Sequence, residues 1–110
     1  MLYYNYLLAN NINYMRTYPS TLSTFLNFLK SKNLSLSLKM IHVSSENISE
    51  SLIHEAENYF GCKLINYYGQ VEQAVLGVNL IKSRYLSMLP YTSFYLLKDN
   101  TMAVLNLVNW

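Results

Sequence analysis

A short stretch past the middle of the chain combines the residue types that a nucleotide site needs. Tyr68, Gly69 and Glu72 stand close together, directly after an apolar run that ends at Tyr67. An aromatic ring offers a flat face to a base, glycine lets the backbone approach a ligand, and a carboxylate can hold a divalent cation. Ligands of open α/β sheets bind beyond the carboxyl ends of the strands, where these side chains would lie. An ordinary turn with a surface glutamate fits the same pattern, so both interpretations stay open.

The other reactive side chains have weaker support as catalytic or metal-binding groups. His42 lies in an apolar run and His54 in a helical pattern, and neither has a cysteine or carboxylate at ligand spacing. Cys62 stands at the start of a predicted strand, where a small buried hydrophobe is expected. Ser44 and Ser45 lack the glycines of a nucleophile elbow. The sequence therefore predicts no catalytic residue.

Two amphipathic helices are predicted on either side of an apolar strand. Pro19 and Ser20 suit a helix start, and apolar residues follow at helical spacing, namely Leu22, Phe25, Leu26 and Leu29. Residues 35–43 have the composition of a strand, and a polar turn follows at residues 44–47. Ser49 then caps a second helix, which Gly61 ends.

A second strand is predicted at residues 62–66, and residues 2–9 and 13–17 fit a helix and a strand. The alternation of helices and strands predicts an α/β fragment in which a parallel sheet is joined by crossover helices. Further short strands are predicted at residues 85–89, 92–97 and 102–108, the last two forming a hairpin across Asp99-Asn100. We expect a single partial domain, with an α/β slice over residues 1–73 and a strand-and-hairpin segment over residues 74–110.

Composition and charge exclude several classes of function. A chain of 110 residues with 52% hydrophobic and 13% charged residues fits one small folded domain. The net charge of +2 is spread from Arg16 to Lys98 without a basic stripe, so no nucleic-acid partner is expected. The N-terminal apolar run is interrupted by asparagines and lacks the features of a signal peptide, which predicts neither a membrane span nor export. A single cysteine fits a reducing cytoplasm.

Six short motifs follow one another along the chain. They are Tyr18-Pro19-Ser20-Thr21-Leu22, Ser44-Ser45-Glu46, Phe60-Gly61-Cys62-Lys63, Tyr68-Gly69-Gln70-Val71-Glu72, Tyr85-Leu86-Ser87-Met88-Leu89-Pro90 and Val104-Leu105-Asn106-Leu107. In this order and spacing, the segment from about Met15 to Asn109 resembles the adenylate-forming, AMP-binding ligases. The resemblance is greatest to the phenylacetate–CoA ligase and capsule-biosynthesis branch, which is coenzyme F synthetase-like and CapK-like.

The resemblance implies an ATP and Mg²⁺ site. In such ligases the signature reads Tyr-Gly-x-Thr-Glu, and a carboxylate attacks the α-phosphorus of ATP to form an acyl adenylate. Tyr68 would stack on adenine, Glu72 would coordinate the Mg²⁺, and the loop Ser44-Ser45-Glu46 would line the adenine pocket. The implied nucleotide-binding residues are Ser44, Ser45, Glu46, Tyr68, Gly69 and Val71, and the implied metal ligand is Glu72.

The sequence also departs from the family's pattern. Val71 stands where the family has threonine, Gln73 where this branch has arginine, and Leu86 where a histidine usually follows the tyrosine. The phosphate loop, the ribose-binding aspartate and the catalytic lysine of the family have no counterpart here. We therefore expect a truncated or split acyl/aryl-CoA ligase-like protein, inactive in isolation, with weak or absent ATP·Mg²⁺ binding.

A non-catalytic remnant or interaction module that retains the fold is the alternative. In either case two helices cannot cover both faces of a parallel sheet and a hairpin. We therefore expect self-association or a partner chain that supplies the remainder of a ligase.

Overall fold

The computed structural model describes residues 1–69 and, beyond them, the backbone of four strands. The chain divides into two compact units, Met1–Asn66 and Tyr67–Trp110. The later strands are β4 (Leu76–Ile81), β5 (Arg84–Ser87), β6 (Thr92–Leu96) and β7 (Met102–Asn106). Among the described residues, no helix has the length and apolarity that crossing a bilayer requires.

Helices and parallel strands alternate over the first part of the chain. The elements are α1 (Leu2–Ala9), β1 (Tyr14–Thr17), α2 (Pro19–Ser31), β2 (Met40–Ser44), α3 (Glu50–Phe60) and β3 (Lys63–Gly69). The three strands form a parallel sheet in the order β1-β2-β3, with helices between them. In the β1–β2 pair, Tyr14 lies opposite Met40 and Thr17 opposite Val43. The predicted α/β class with a parallel sheet is confirmed.

The two crossover helices begin and end where their sequences predict. Pro19 is the first residue of α2, where its missing N–H costs no hydrogen bond. The Ser49 hydroxyl accepts a hydrogen bond from the Leu52 N–H at 3.2 Å and so caps α3. Gly61 ends α3 with φ of 65°, a left-handed conformation that glycine adopts without a Cβ clash.

An apolar core holds α2 and α3 to the sheet. Ile41 and Val43 of β2 are completely buried, and so is Ala56 of α3. The two helices contribute further fully or almost fully buried side chains, namely Leu22, Leu26, Leu29 and Phe60. Each large apolar side chain buried in this way contributes about 1.5–3 kcal/mol to folding. The apolar face that the sequence predicts for α2 therefore faces the core.

The predicted strand at residues 35–43 is shorter than expected and begins only at Met40. Leu36 and Leu38 are buried and alternate with exposed neighbours, which produced the strand-like pattern. The Leu38 N–H nevertheless forms no strand-to-strand hydrogen bond. It donates instead to the carbonyl of Phe60, the last residue of α3, at 3.0 Å. Burial alone does not make this segment a strand.

Strand β3 runs further than expected, and another strand was missed. The sequence predicted this strand at residues 62–66, whereas in the structure it spans Lys63–Gly69. Consecutive aromatic residues favour extended backbone, which explains the longer strand. β6 and β7 pair antiparallel, which confirms the predicted hairpin, and β5 overlaps the strand predicted at residues 85–89. β4, which pairs antiparallel with β5, was not predicted.

Candidate functional site

The loop after β2 presents two serines in different environments. Ser44 is the last residue of β2 and is buried, with 8% of its surface exposed. Ser45 is exposed and has φ of 71°, an uncommon value for a residue with a side chain. Its hydroxyl donates a hydrogen bond to the Ser44 hydroxyl at 3.5 Å. The chain thus turns sharply at the carboxyl end of β2, with its hydroxyl groups at that edge of the sheet.

Glu46 binds the start of α2. Its Oε2 accepts a hydrogen bond from the Ser20 N–H, and its Oε1 accepts one from the Ser20 hydroxyl, both at 2.9 Å. Unpaired N–H groups and the helix dipole make this end of a helix attractive to an anion. The carboxylate therefore fixes the loop after β2 to α2. Its expected place in an adenine pocket remains a prediction.

Tyr68 and Gly69 form the end of β3. The Tyr68 side chain is exposed, with 39% of its surface in solvent. A Cβ atom built on Gly69 would lie 2.8 Å from Cε1 of Tyr67, so glycine leaves room for that ring. Val71 and Glu72, the other predicted residues of this stretch, lie outside the described residues. The predicted metal ligand therefore remains a prediction.

Glu57 fixes the beginning of β3. Its Oε1 accepts a hydrogen bond from the Leu64 N–H at 3.0 Å, and its Oε2 lies 3.5 Å from Nζ of Lys63. The carboxylate thus secures the start of the strand on which Tyr68 stands. Nothing in the local sequence pattern identifies this contact across the helix–strand turn.

His42 lies in β2, opposite Arg16 of β1. Burial, together with the positive charge of Arg16, lowers the pKa of His42 below its ordinary value of 6.5. Both effects disfavour the charged imidazolium. His42 is therefore a neutral side chain of the sheet at physiological pH.

Cys62 is half-buried at the turn between α3 and β3. Burial raises the pKa of its thiol and the Glu57 carboxylate raises it further, whereas a hydrogen bond with the Ile41 backbone acts in the opposite direction. A thiol with a raised pKa is a poor nucleophile. Among residues 1–69, no three histidine, cysteine or acidic side chains cluster as a metal site requires.

Similarity to known proteins exists at the level of structure. No family model matches the sequence, and no curated protein sequence matches it either. The structure is similar to the crystal structure of VinN, with a TM-score of 0.63 and 22% identity. This match covers 83% of the present chain and 26% of VinN.

The structure of VinN in complex with L-aspartate gives a similar result. Its TM-score is 0.62 at 21% identity, and the match covers 77% of this chain and 24% of VinN. The chain thus spans about a quarter of the protein that it resembles. Over that span it shares the fold of the matching part of VinN.

Proposed function

We propose that this chain is part of the nucleotide-binding subdomain of an adenylate-forming ligase, of the acyl/aryl-CoA ligase-like kind. The observation that carries the proposal is the fold likeness to VinN over 83% of the chain, together with the Tyr68-Gly69 signature residues at the end of a parallel strand. Within the family, the six sequence motifs favour the phenylacetate–CoA ligase and capsule-biosynthesis branch. The single cysteine favours a cytoplasmic protein.

The proposed role of the site is to hold the adenine of ATP. Tyr68 has an exposed ring, and stacking of a base on an aromatic ring contributes about 1–3 kcal/mol. The loop Ser44-Ser45-Glu46 follows β2, and Glu46 holds it to α2 through Ser20. ATP would supply the phosphorus that a carboxylate attacks, with pyrophosphate leaving, and Mg²⁺ held by Glu72 would neutralise the phosphates. Binding at Glu72 rests on the sequence signature alone.

Stacking alone gives little affinity. A micromolar dissociation constant requires about 8 kcal/mol, which exceeds what one ring supplies. Val71, at the family's threonine position, has no hydroxyl for a phosphate. We therefore expect the chain by itself to bind ATP·Mg²⁺ weakly, with a dissociation constant in the millimolar range, and to release no pyrophosphate.

The test is a titration of the chain with ATP·Mg²⁺, monitored by calorimetry and by the chemical shifts of the backbone amides. We expect small changes in amide chemical shift at Ser44, Ser45 and Tyr68. The Tyr68→Ala variant should abolish these changes, and Tyr68→Phe should retain them. Tyr14→Ala is the matched control, because Tyr14 is another exposed tyrosine outside the site. L-aspartate is a second arm of the titration, since VinN has been described in complex with it.

Three results would change the proposal. A micromolar constant that Tyr68→Ala removes would contradict the expected inactivity of the chain in isolation. Chemical-shift changes at other residues, but not at Tyr68, Ser44 or Ser45, would contradict the adenine site. No shifts at all would favour the second candidate, a non-catalytic interaction module.

A further inference from the structure

The loop Ser44-Ser45-Glu46 is fixed at both of its ends. Ser44 is buried at the end of β2, with 8% of its surface exposed. Two residues later, the two oxygens of the Glu46 carboxylate bind Ser20, one through the backbone N–H and the other through the hydroxyl, each at 2.9 Å. Ser45 is the single residue between these two fixed points. Its backbone therefore has to make the change of direction.

Ser45 makes this turn in a conformation that serine rarely adopts. Its φ of 71° is left-handed, and a residue with a Cβ atom is disfavoured there. Such a conformation persists where the surrounding structure imposes it. Ser44 is held by its burial in the sheet, whereas Glu46 is exposed and is held by Ser20. The contact with Ser20 is therefore the anchor of the turn that a single surface substitution can release.

We propose that Ser20 and Glu46 are positioning residues of the adenine site and that neither touches the nucleotide, a role that rests on the proposed function of the loop. Both Glu46 oxygens are engaged at the start of α2, where N–H groups and the helix dipole favour an anion. The carboxylate therefore acts through the backbone, by holding Ser45 in the left-handed turn before ATP arrives. The resemblance to the ligases placed Glu46 in the pocket and gave Ser20 no role.

Holding the loop in advance raises the affinity for ATP without adding a contact. When only a fraction of the molecules has the binding-competent loop, the apparent dissociation constant increases by the inverse of that fraction. If Ser45 stays left-handed in about a third of the Glu46→Ala molecules, ATP should bind about threefold more weakly. The loss of the turn in the free chain and the loss of affinity should thus agree in size.

The first measurement is made by NMR without nucleotide. At positive φ an amide proton lies close to the Hα of its own residue, so wild-type Ser45 should give a strong cross-peak between these two protons. Glu46→Ala should weaken this cross-peak toward that of an ordinary loop residue. Glu46→Gln should keep it, because the amide oxygen can accept from the Ser20 N–H while the amide NH₂ donates to the hydroxyl. Asn47→Ala is the matched control, since Asn47 is exposed in the same loop, and should also keep it.

The second measurement is a titration of the same variants with ATP·Mg²⁺, monitored by the chemical shifts of the backbone amides. Glu46→Ala should raise the dissociation constant by the factor that the free loop predicts, and Glu46→Gln should restore the wild-type value. A residue that bound the nucleotide or the cation through its charge would lose affinity in both variants. The Ser20 amide should keep its chemical shift throughout, because the Glu46 carboxylate continues to occupy its N–H.

The positioning role is overturned if Glu46→Ala leaves the Ser45 cross-peak unchanged, or if Glu46→Gln binds ATP as weakly as Glu46→Ala does. It is also overturned if ATP shifts the Ser20 amide, because a phosphate would then have displaced the carboxylate. These results leave the adenine site in place as long as the wild type shows ATP-dependent shifts at Ser45 and Tyr68. If the wild type shows none, the proposed function fails and the positioning role fails with it.

Discussion

The Glu46 carboxylate binds both the backbone N–H and the hydroxyl of Ser20, a residue 26 positions earlier in the chain. This contact joins the loop at the carboxyl end of β2 to the first turn of α2. A helix is normally capped by the residue that precedes it, but Tyr18 makes no side-chain cap here. Glu46 performs that function from another part of the chain.

We expect Glu46→Ala to destabilise the chain by about 1 kcal/mol, the typical effect of losing a helix cap. Ser20→Ala should cost less, because the N–H contact with Glu46 survives. Urea denaturation measures both. Asn47→Ala is the control, since Asn47 is an exposed neighbour in the same loop. Equal losses for Glu46→Ala and Asn47→Ala would contradict the capping role.

Gly61 and Gly69 are expected to respond differently to substitution by alanine. Gly61 adopts φ of 65°, where a Cβ costs about 1–2 kcal/mol even though no atom lies within 4 Å of it. Gly69 lacks a left-handed φ, and its new Cβ would meet only the outer end of the Tyr67 ring, which can move. Gly61→Ala should therefore lower the melting temperature more than Gly69→Ala does.

Gly61→Asn refines that comparison. Asparagine tolerates the left-handed conformation better than alanine, so this variant should lie between the wild type and Gly61→Ala. If Gly69→Ala proves the more damaging of the two alanine substitutions, the backbone explanation fails.

Local patterns predicted the helices well, because their signals are contained in the helices themselves. The apolar stripe from Leu22 to Leu29, the Ser49 cap and the Gly61 end each concern residues a few positions apart. Long-range contacts were not predictable in this way. The bond between Glu46 and Ser20 has no local signature, and the segment before Met40 imitates a strand while donating a hydrogen bond to Phe60. The same limit applies to the candidate site: the sequence suggested Tyr68, Ser44 and Glu46, but not that the Glu46 and Glu57 carboxylates anchor the loop after β2 and the start of β3.

The position of His42 predicts a loss of stability in acid. Burial and the facing Arg16 lower the pKa of His42 in the folded chain below 6.5, while in the unfolded chain it keeps its ordinary value. Below about pH 6.5 the unfolded chain therefore binds the proton more readily, and the free energy of unfolding falls until the pH passes the folded pKa. Above pH 6.5 this residue contributes no pH dependence.

NMR titration of the His42 ring tests this expectation directly. Arg16→Gln should raise the pKa of His42 toward its ordinary value, because it removes the repelling charge but leaves the burial. The slope of stability against pH between about pH 5 and pH 7 should flatten in His42→Gln. A His42 pKa above 6.5 in the wild type would contradict the account.

The environment of Cys62 predicts a slow reaction with alkylating reagents. Burial, reinforced by the Glu57 carboxylate, raises the thiol pKa, so little thiolate is present near neutral pH. Iodoacetamide should label the folded chain at least about tenfold more slowly than the chain in urea.

Glu57→Gln separates the two causes of the raised Cys62 pKa. It removes the negative charge and keeps a side-chain carbonyl for the Leu64 N–H, so labelling should become faster while burial still limits it. Glu55→Gln is the matched control, because Glu55 is on the same helix and pairs with Lys30. Labelling of the folded wild type as fast as in urea would mean that the thiol is an accessible nucleophile. Equal acceleration by both variants would show that a loosened α3, and not the Glu57 charge, controls access to Cys62.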